Sequence, residues 1–340
     1  MFKQSDCQRV IRSNNSASIF SALRKRWKAT KSGISLRSAI NTYLDHLRAS
    51  GLSSNTIYCY SHDLIRLLNE FSDMNLKSIN QEVLDEHIIH ISAERAKRSV
   101  SNTLQRSIST INRIKIVYRS FFKWCLAKGL MKNDLSSELR LSKHPSSLTL
   151  PILPEEITRL LKVISESADP LAQRDRALFS VYAFSGIRRS EALTLRVSDY
   201  DPQSRTISVK SSKGYTRKLQ PIPLILFDVM DQYVRVSLKN AEPSSPLFLG
   251  QGKNRSLSSR QASNRFEKWK KLAGIRDTLT IHSFRSGYAS RLYQISKDPL
   301  LVSHALGHSS FSTTERYIKH ELLDLSGLVE TAFSGNGTRG

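Results

Sequence analysis

The sequence predicts a mainly α-helical protein with a small antiparallel β-sheet, an α+β fold of two domains. Apolar residues recur at helical spacing from residue 35 onward, one short stretch alternates with period two, and a serine- and proline-rich stretch interrupts the periodicity. The chain has 340 residues, of which 39% are hydrophobic, so it can bury two cores. We expect a helical domain at 35–131, an extended linker at 132–153 and a second domain at 154–334.

The two ends of the chain carry little helical pattern. Residues 1–34 are polar and strongly basic, and we expect a flexible arm with a short helix at about 21–27. A solvated tail and a DNA-contacting arm both remain open for this segment. The last residues, 335–340, are predicted to be disordered.

Four helices are predicted in the first domain. The first follows Ser35 as its N-cap and stops at Gly51, and the second follows the cap-forming residues 53–56. A weaker third helix covers about 81–92, and the longest runs from about 101 to 127. The buried stripe of this fourth helix is predicted to comprise Leu104, Ile108, Ile111, Tyr118, Phe122 and Cys125.

The fourth helix and the segment before it carry an unusual run of charge. Eight basic residues and no acidic one lie here, and three of them recur every four residues, along one face of the helix. Contact with DNA phosphates is the favoured interpretation, and a merely solvated face is the alternative. The predicted DNA-binding residues are Arg95, Lys97, Arg98, Arg106, Arg113, Lys115, Arg119 and Lys123.

The second domain is predicted to open with a helix from Pro154 to about residue 164, followed by a helix at about 171–184. Residues 205–210 alternate with period two, and a glycine-containing turn and a second strand-like run to residue 223 complete a β-hairpin. Helices are predicted to dominate from residue 224 onward.

The charge balance indicates the class of partner. Lys and Arg number 52 and Asp and Glu 29, which leaves a net charge of +23. Such an excess favours a polyanion, most commonly nucleic acid, and disfavours an enzyme of small neutral substrates. No apolar run approaches the length of a membrane span, and the N-terminus lacks the apolar core of a signal peptide, so we expect a cytoplasmic protein without a membrane partner.

Two segments of the second domain place arginine at a helix terminus. Gly186 is predicted to end an apolar helix and to present Arg188 at the turn that follows. Thr280 is a predicted N-cap, and His282 and Arg285 lie one turn apart on the helix that it begins. Either segment taken alone occurs often by chance.

A third segment places a tyrosine after a histidine. Gly307 and His308 precede Ser312 and Glu315, which form a predicted capping box, and Tyr317 lies on the helix that this box begins. A tyrosine at such a position more often packs than reacts.

Metal and nucleotide chemistry are disfavoured. Four histidines lie between residues 282 and 320, but no carboxylate or cysteine accompanies them at ligand spacing. Three widely spaced cysteines support neither a disulfide framework nor a cysteine zinc site. No glycine-rich phosphate loop occurs, so we expect no metal and no cofactor.

The ordered set of an arginine, a hairpin lysine, His-x-x-Arg, Gly-His and a tyrosine nine residues later resembles the tyrosine recombinases of the phage lambda integrase type. The resemblance covers about residues 36–330. It implies a helical core-binding domain followed by a catalytic domain, and a tail at 320–334 that docks on a neighbouring subunit. Packing of this tail on its own domain remains the alternative.

The resemblance also implies the roles of individual residues. It makes Tyr317 the nucleophile and Glu191 a residue that braces the site. The activating residues that it implies are Arg188, Lys213, His282, Arg285 and His308. Lys213 lies in Ser-Lys-Gly where the family commonly has Gly-Lys-Gly, so Lys210, Arg217 and Lys218 compete with it. Ser185 and Ser286 also replace the family's usual Thr and His.

The implied activity is site-specific recombination of double-stranded DNA with paired half-sites through a 3′-phosphotyrosine, by a tetramer and without metal or ATP. A tyrosine oxygen can store the energy of the broken ester, and forked guanidinium groups can stabilise the charge on phosphorus oxygens. Relaxation of DNA by a type IB topoisomerase and noncatalytic DNA binding are the alternatives. A type IB topoisomerase would not need a separate helical domain, and a noncatalytic DNA-binding protein would give no reason for the ordered set of residues.

Overall fold

The computed structural model describes residues 33–93, 106–143, 149–210, 217–250 and 255–307. The chain divides into two compact units, Met1–Ser146 and Ser147–Gly340, and each is described by itself. The predicted fold class is confirmed, because helices predominate in the described ranges and the strands there form one three-stranded antiparallel sheet.

The first unit contains four α-helices in its described part. They are α1 (Leu36–Ala49), α2 (Ser54–Phe71), α3 (Gln81–Ala93) and α4 (Ile108–Ala127), with a 3-10 turn at Leu76–Ser78. The predicted caps of the first two are confirmed: Ser35 Oγ accepts the N–H of Ser38, and Ser53 Oγ accepts the N–H of Thr56, both at 3.2 Å. These hydroxyls satisfy N–H groups that have no partner within the helix.

The core of this unit lies where α1, α2 and α4 meet, and α3 packs against α4. The sequence pattern explains this, because each helix buries the face on which its apolar residues recur. The largest side chains in the core are almost fully inaccessible: Tyr43, Leu64, Tyr118, Phe121 and Phe122.

Helix α4 begins later than predicted. It starts at Ile108, after Ser107, whose Oγ accepts the N–H of Thr110 at 3.3 Å, rather than at residue 101. Ile108 was predicted to be buried, and this prediction is wrong: the residue is 50% exposed. It is the first residue of the helix, whereas Ile111, one turn later, is buried. Leu104 lies outside the described residues.

Part of the segment predicted as a linker packs on the helical unit. Leu135 and Leu139 are buried in the core of the first unit. Asn112 of α4 also holds this segment, because its side-chain amide exchanges two hydrogen bonds with the backbone of Ser142, at 2.7 and 3.0 Å. A buried amide that satisfies both backbone groups fixes the chain, so residues 135–142 belong to the helical unit.

The second unit is built around one central helix. Its α-helices are α5 (Pro154–Ser165), α6 (Ala172–Ser185), α7 (Arg189–Leu193), α8 (Leu224–Ser237), α9 (Ser259–Leu272), α10 (Ile281–Ser296) and α11 (Pro299–Leu306). Helix α6 packs against α5, α8 and α10, and residues on all its sides are buried. This burial is consistent with a sequence that lacks a polar face there.

The sheet of the second unit lies between α7 and α8 in the chain. Its strands are β1 (Tyr200–Asp201), β2 (Thr206–Lys210) and β3 (Arg217–Pro221), in the order β1-β2-β3. The hairpin predicted between residues 205 and 223 is present as the antiparallel pair β2–β3, in which Val209 pairs with Lys218. The two-residue strand β1 was not predicted.

Several sequence predictions concern residues outside the described ranges. They include the arm with its short helix, the hairpin turn with Lys213, the segment with His308 and Tyr317, the 320–334 tail and the disordered end. None of the helices described here is long and apolar enough to cross a membrane.

Candidate active site

A glycine turn positions the first predicted catalytic arginine. Helix α6 ends at Ser185, and Gly186 follows in the left-handed conformation at φ 64°. A Cβ atom at this position would lie 2.4 Å from Cδ1 of Tyr288, so both the backbone angle and the space favour glycine. The chain then turns, and Arg188 becomes the N-cap of the short helix α7.

Glu191 fixes the conformation of Arg188. Its carboxylate accepts the backbone N–H of Arg188 at 2.7 Å through Oε2 and the Nη1 of the same residue at 2.8 Å through Oε1. This carboxylate at the third position of α7 therefore caps the helix and orients the guanidinium at once. The predicted bracing role of Glu191 agrees with these contacts and remains a prediction.

Arg285 is held inside the unit by backbone oxygens. Its side chain lies in the second turn of α10, and the residue is 4% exposed. Nη1 donates to the carbonyl of Gly186 at 2.5 Å, and Nη2 donates to the carbonyl of Leu306 at 2.8 Å. The glycine turn that presents Arg188 therefore also anchors Arg285.

Three cations meet at the C-terminal end of α11. Arg188 Nη2 donates to the carbonyl of Gly307 at 3.3 Å, next to the Leu306 carbonyl bound by Arg285. Lys218 Nζ, from β3, donates to the carbonyl of His304 at 3.0 Å and to that of Ala305. The last carbonyls of a helix lack partners within the helix and carry partial negative charge, which explains why cations gather there.

This arrangement concentrates positive charge at one point. Carbonyl oxygens orient the three cations but do not cancel their charge, and Glu191 is the carboxylate that pairs with Arg188. Guanidinium groups present further N–H donors in a planar fork that matches phosphate oxygens. The site can therefore bind a phosphate group and stabilise additional negative charge on it.

The cluster changes the proton affinity of its lysine. Burial lowers the pKa of Lys218, and the positive charges of Arg285 and Arg188 lower it further, whereas Glu191 acts in the opposite direction. An ammonium group with a lowered pKa gives up a proton more readily, which is a property of general acids.

His282 lies in the first turn of α10, one turn before Arg285. Thr280 is the N-cap as predicted, but the cap contact is made by Ser283, whose Oγ accepts the N–H of Thr280 at 3.0 Å. His282 reaches solvent, yet desolvation by the surrounding protein lowers its pKa, and the charges of Arg189 and Arg285 lower it further. A neutral imidazole is thereby favoured, as a proton acceptor requires.

The structure thus brings together a part of the predicted site. Arg188 and Arg285 both contact the end of α11, Arg285 also binds the glycine turn, and Glu191 pairs with Arg188. The positive charge of Arg285 contributes to the lowered pKa of His282. Lys213, His308 and Tyr317 lie outside the described residues, so their assignments remain predictions. His308 directly follows Gly307, whose carbonyl Arg188 binds.

From the sequence, Lys218 is only a competitor of Lys213. Its position follows from the register of the hairpin, which the sequence left open, because paired residues on neighbouring strands share one face of a sheet. Lys218 pairs with the buried Val209, while its neighbour Leu219 is 64% exposed. The alternation therefore directs Lys218 inward, where a lysine needs acceptors. Lys210 ends β2 as an exposed residue, and the side chain of Arg217 is outside the description.

The predicted DNA-binding face of the first unit is only partly described. Arg119 and Lys123 are exposed on α4, and Arg106 lies just before it. Two other members contact their own unit: Arg113 pairs with Asp63, and Lys115 Nζ donates to the carbonyl of Arg140 at 2.9 Å.

The remaining members of the face, Arg95, Lys97 and Arg98, lie outside the described residues. The DNA-binding role of all eight residues stays a prediction.

Comparison with known families matches both units. Residues 152–322 match the phage integrase family, and residues 40–129 match the phage integrase N-terminal SAM-like domain. Together the two matches cover most of the chain on either side of the predicted linker.

Curated relatives are similar along nearly their whole length. The chain is 28% identical over 299 residues to the tyrosine recombinase XerC of Neisseria meningitidis serogroup B, covering 87% of this chain and 95% of that protein. It is 26% identical over 294 residues to the tyrosine recombinase XerD of Mycobacterium leprae, covering 83% and 92%.

Solved structures share the fold. The XerH site-specific recombinase bound to a palindromic difH substrate, in a post-cleavage complex, gives a TM-score of 0.66 at 22% identity, covering 86% of this chain and 83% of that one. A lambda integrase tetramer bound to a Holliday junction gives a TM-score of 0.67 at 16% identity, covering 92% and 84%.

Proposed function

Because the chain belongs to the phage integrase family and is a tyrosine recombinase, we propose that it exchanges DNA strands at specific sites through a 3′-phosphotyrosine. The observation that carries this proposal is the meeting of Arg188 and Arg285 at neighbouring carbonyls of the α11 end. The backbone there leads directly to His308 and, nine residues later, to Tyr317.

The proposed cleavage is an exchange of one ester for another. The phenolic oxygen of Tyr317 attacks the scissile phosphorus, its proton passes to a base, and the bond from phosphorus to the 5′ oxygen breaks. The 5′ oxygen takes up a proton and leaves as a hydroxyl. Rejoining reverses these steps with a 5′ hydroxyl from another strand, so we expect the reaction to need neither metal nor ATP.

Arg188 and Arg285 stabilise the transition state in this proposal. Extra negative charge develops on the two nonbridging oxygens of the phosphorus, and each guanidinium can donate a pair of hydrogen bonds there. Their positions are set before DNA binds, by Glu191, the glycine turn and the α11 carbonyls. Preorganised donors of this kind need no rearrangement during the reaction.

The remaining groups handle protons. His282, kept neutral by its surroundings, acts as proton acceptor or hydrogen-bond partner, and His308 donates to the phosphate. We assign the protonation of the leaving 5′ oxygen to Lys213, on the hairpin turn. Lys218 holds the α11 end, because its Nζ already donates to two backbone carbonyls.

Double-stranded DNA with paired half-sites is the proposed substrate, and a tetramer of this chain the proposed assembly. The net charge of +23 supports a polyanionic partner. The XerH structure is of a recombinase bound to a palindromic substrate, and the lambda integrase structure is of a tetramer on a Holliday junction. Exchange of flanking sequences between two marked sites would separate recombination from simple relaxation of supercoils.

The nucleophile is tested with a nicked DNA substrate that traps the covalent intermediate. We expect Tyr317→Phe in the full-length protein to form no DNA–protein adduct while its binding to the same DNA stays near that of the unmodified chain. Tyr58→Phe is the matched control, since Tyr58 is 65% exposed on α2 of the other unit and should leave the adduct unchanged. An undiminished adduct in Tyr317→Phe would refute the assignment.

A further inference from the structure

A cluster of metal-ligating side chains lies in the helical unit, apart from the residues assigned to DNA cleavage. Glu70 is the next-to-last residue of α2, and His87 and His90 lie one turn apart on α3. One ligand atom from each of the three lies within 4.8 Å of the other two. Two elements that are separate in the sequence thus bring two imidazoles and one carboxylate to one point.

The distances from Glu70 to the two histidines are close to those of a tetrahedral site. Zinc binds nitrogen and oxygen ligands at about 2.0–2.1 Å, which places neighbouring ligand atoms of a tetrahedron about 3.3 Å apart. Glu70 Oε2 lies 3.3 Å from His90 Nδ1 and 3.9 Å from His87 Nδ1. A small rotation of the carboxylate or of a ring brings the longer pair into range.

The surroundings of His87 hold its ring in the orientation that a ligand requires. The ring stacks on Tyr118, with centroids 5.8 Å apart, and packs against Phe71 at 5.2 Å. Its Nε2 lies 3.0 Å from the hydroxyl of Tyr118. Metal-bound histidines in proteins commonly have their second ring nitrogen held in this way.

The proton on His87 can be assigned from the next contact. The hydroxyl of Tyr118 donates to the backbone carbonyl of Asp63 at 3.3 Å, so it accepts the hydrogen bond from His87 Nε2. A neutral His87 then carries its proton on Nε2 and presents a lone pair on Nδ1. Nδ1 is the atom that faces Glu70.

We propose that Glu70, His87 and His90 bind one divalent transition-metal ion of the zinc class, which links the end of α2 to α3. Two imidazoles and one carboxylate suit such an ion, whereas Mg²⁺ and Ca²⁺ prefer oxygen ligands alone. The side chains of His90 and Glu70 are 37% and 16% exposed, so an ion can enter from solvent and keep water as a fourth ligand. The ion would stabilise the helical unit and take no part in strand cleavage.

The rival interpretation is a plain ion pair between Glu70 and a protonated His90. The two interpretations differ in the role of the buried His87. An ion pair needs only Glu70 and His90, at 3.3 Å, whereas a metal site also requires the lone pair of His87. Only the metal site predicts saturable binding of one ion.

The test is a titration of the full-length, DNA-free protein with Zn²⁺, followed by calorimetry and by thermal unfolding. We expect one high-affinity site and a rise in Tm that grows with Zn²⁺ concentration, because an ion that binds the folded state stabilises it. Glu70→Gln and His90→Ala should each weaken this site by more than about tenfold and remove the Tm response. Both variants should fold, since one is isosteric and the other places a good helix former at an accessible helix position.

His62→Ala provides the matched control, because His62 is an accessible histidine on α2 whose Nδ1 lies 3.9 Å from the carboxylate of Asp63, outside the cluster. It should bind Zn²⁺ like the unmodified chain. The proposal is overturned if Glu70→Gln and His90→Ala bind as the unmodified chain does, or if no saturable binding occurs. These measurements involve no DNA cleavage, so they stand or fall independently of the proposed function.

Discussion

The two units hold their arginines in different ways. In the helical unit Arg113 forms a two-pronged ion pair with Asp63, whose side chain is completely buried. In the second unit Arg285 donates to the backbone carbonyls of Gly186 and Leu306. A carboxylate neutralises the guanidinium that it binds, whereas a carbonyl only orients it.

This difference supports our proposal that Arg285 binds phosphate, whereas the contact of Arg113 with Asp63 stabilises the fold. A buried charge pair is satisfied within the protein, and removing one partner leaves the other without compensation. A guanidinium held by carbonyls keeps its positive charge and so attracts an anion such as phosphate. Arg188 lies between the two cases, because it contacts both Glu191 and the carbonyl of Gly307.

The second unit also contains arginines paired with a buried carboxylate. The two kinds of contact therefore differ between sites and not between the two units. Asp175 is fully buried and accepts hydrogen bonds from Arg174, Arg265 and the indole of Trp269. This group joins α6 to α9. Its arginines are therefore poor candidates for phosphate binding, although they are as basic as those of the site.

The largest expected effect follows from changing the geometry of a carbonyl-held cation while keeping its charge. We expect Arg285→Lys to slow covalent DNA cleavage on the order of 10²-fold, because an ammonium cannot give a planar pair of hydrogen bonds to the transition state. Adduct formation is measured in single turnover at saturating DNA.

Arg291→Lys is the control for this experiment. Arg291 lies on the same helix and also donates to a backbone carbonyl, that of Ala183 at 2.9 Å. It should cleave DNA at nearly the rate of the unmodified chain. Equal losses in the two variants would mean that the lysine damages the helix and not the phosphate site.

The second prediction concerns the carboxylate-held arginine. We expect Arg113→Ala to lower the free energy of unfolding by about 2 kcal/mol, since it leaves the buried Asp63 carboxylate without its main partner. The value lies below that of a fully buried pair because the Arg113 side chain is 48% exposed and Arg66 Nε remains 3.8 Å from the carboxylate.

Urea denaturation of the full-length protein measures this loss. Combining Arg113→Ala with Asp63→Asn should recover part of the stability, because the unpaired charge is then gone. The cleavage rate at saturating DNA should be unaffected by Arg113→Ala. A loss of cleavage without a loss of stability would place Arg113 among the cations that act on DNA.

The same comparison shows what the sequence could and could not predict. The helix caps at Ser35 and Ser53 are local signals, because a hydroxyl and its N–H partner lie three residues apart. The glycine turn before Arg188 is local for the same reason. The ion pair of Arg113 with Asp63 joins residues 50 positions apart, and no local pattern announces it.

Three further features of the structure could not be predicted for the same reason. The predicted linker contains Leu135 and Leu139, and neither periodicity nor composition could show that they pack on α4. The prediction that Ile108 is buried was wrong because a helical repeat of apolar residues does not indicate where the helix begins. The place of Lys218 depended on the register of the hairpin, which the sequence left open.

The third prediction concerns two lysines: we assign Lys218 as an anchor of the α11 end and Lys213 as the proton donor, and substitutions distinguish the two roles. We expect Lys218→Met to slow cleavage about tenfold, since two hydrogen bonds from a charged donor to the α11 end are lost. Lys213→Ala should slow it more, if Lys213 protonates the leaving oxygen.

A substrate in which sulfur replaces the leaving 5′ oxygen distinguishes the two roles, because a thiolate leaves without being protonated. This substrate should restore cleavage by Lys213→Ala and leave Lys218→Met slow, whereas Lys218→Arg should be close to the unmodified chain on either substrate. Restoration of Lys218→Met instead would make Lys218 the proton donor.

The smallest expected effect concerns the positive charges that act on His282. Burial, Arg189 and Arg285 lower the pKa of His282, so its neutral form persists to lower pH in the folded protein than in the unfolded chain. The resulting contribution to stability is present above the unfolded pKa and is lost as the pH falls through the folded one. If His282 must be neutral to accept a proton, the cleavage rate falls over the same acidic range.

Arg189→Gln removes one positive charge near His282, and we expect the acidic limb of the pH profile of cleavage to move to higher pH with little change in the plateau rate. Arg196→Gln, which removes an exposed arginine bonded to the carbonyl of Ser244, is the control and should leave the limb in place. An unmoved limb in Arg189→Gln would mean that its charge is not felt at His282 or that His282 does not set the limb.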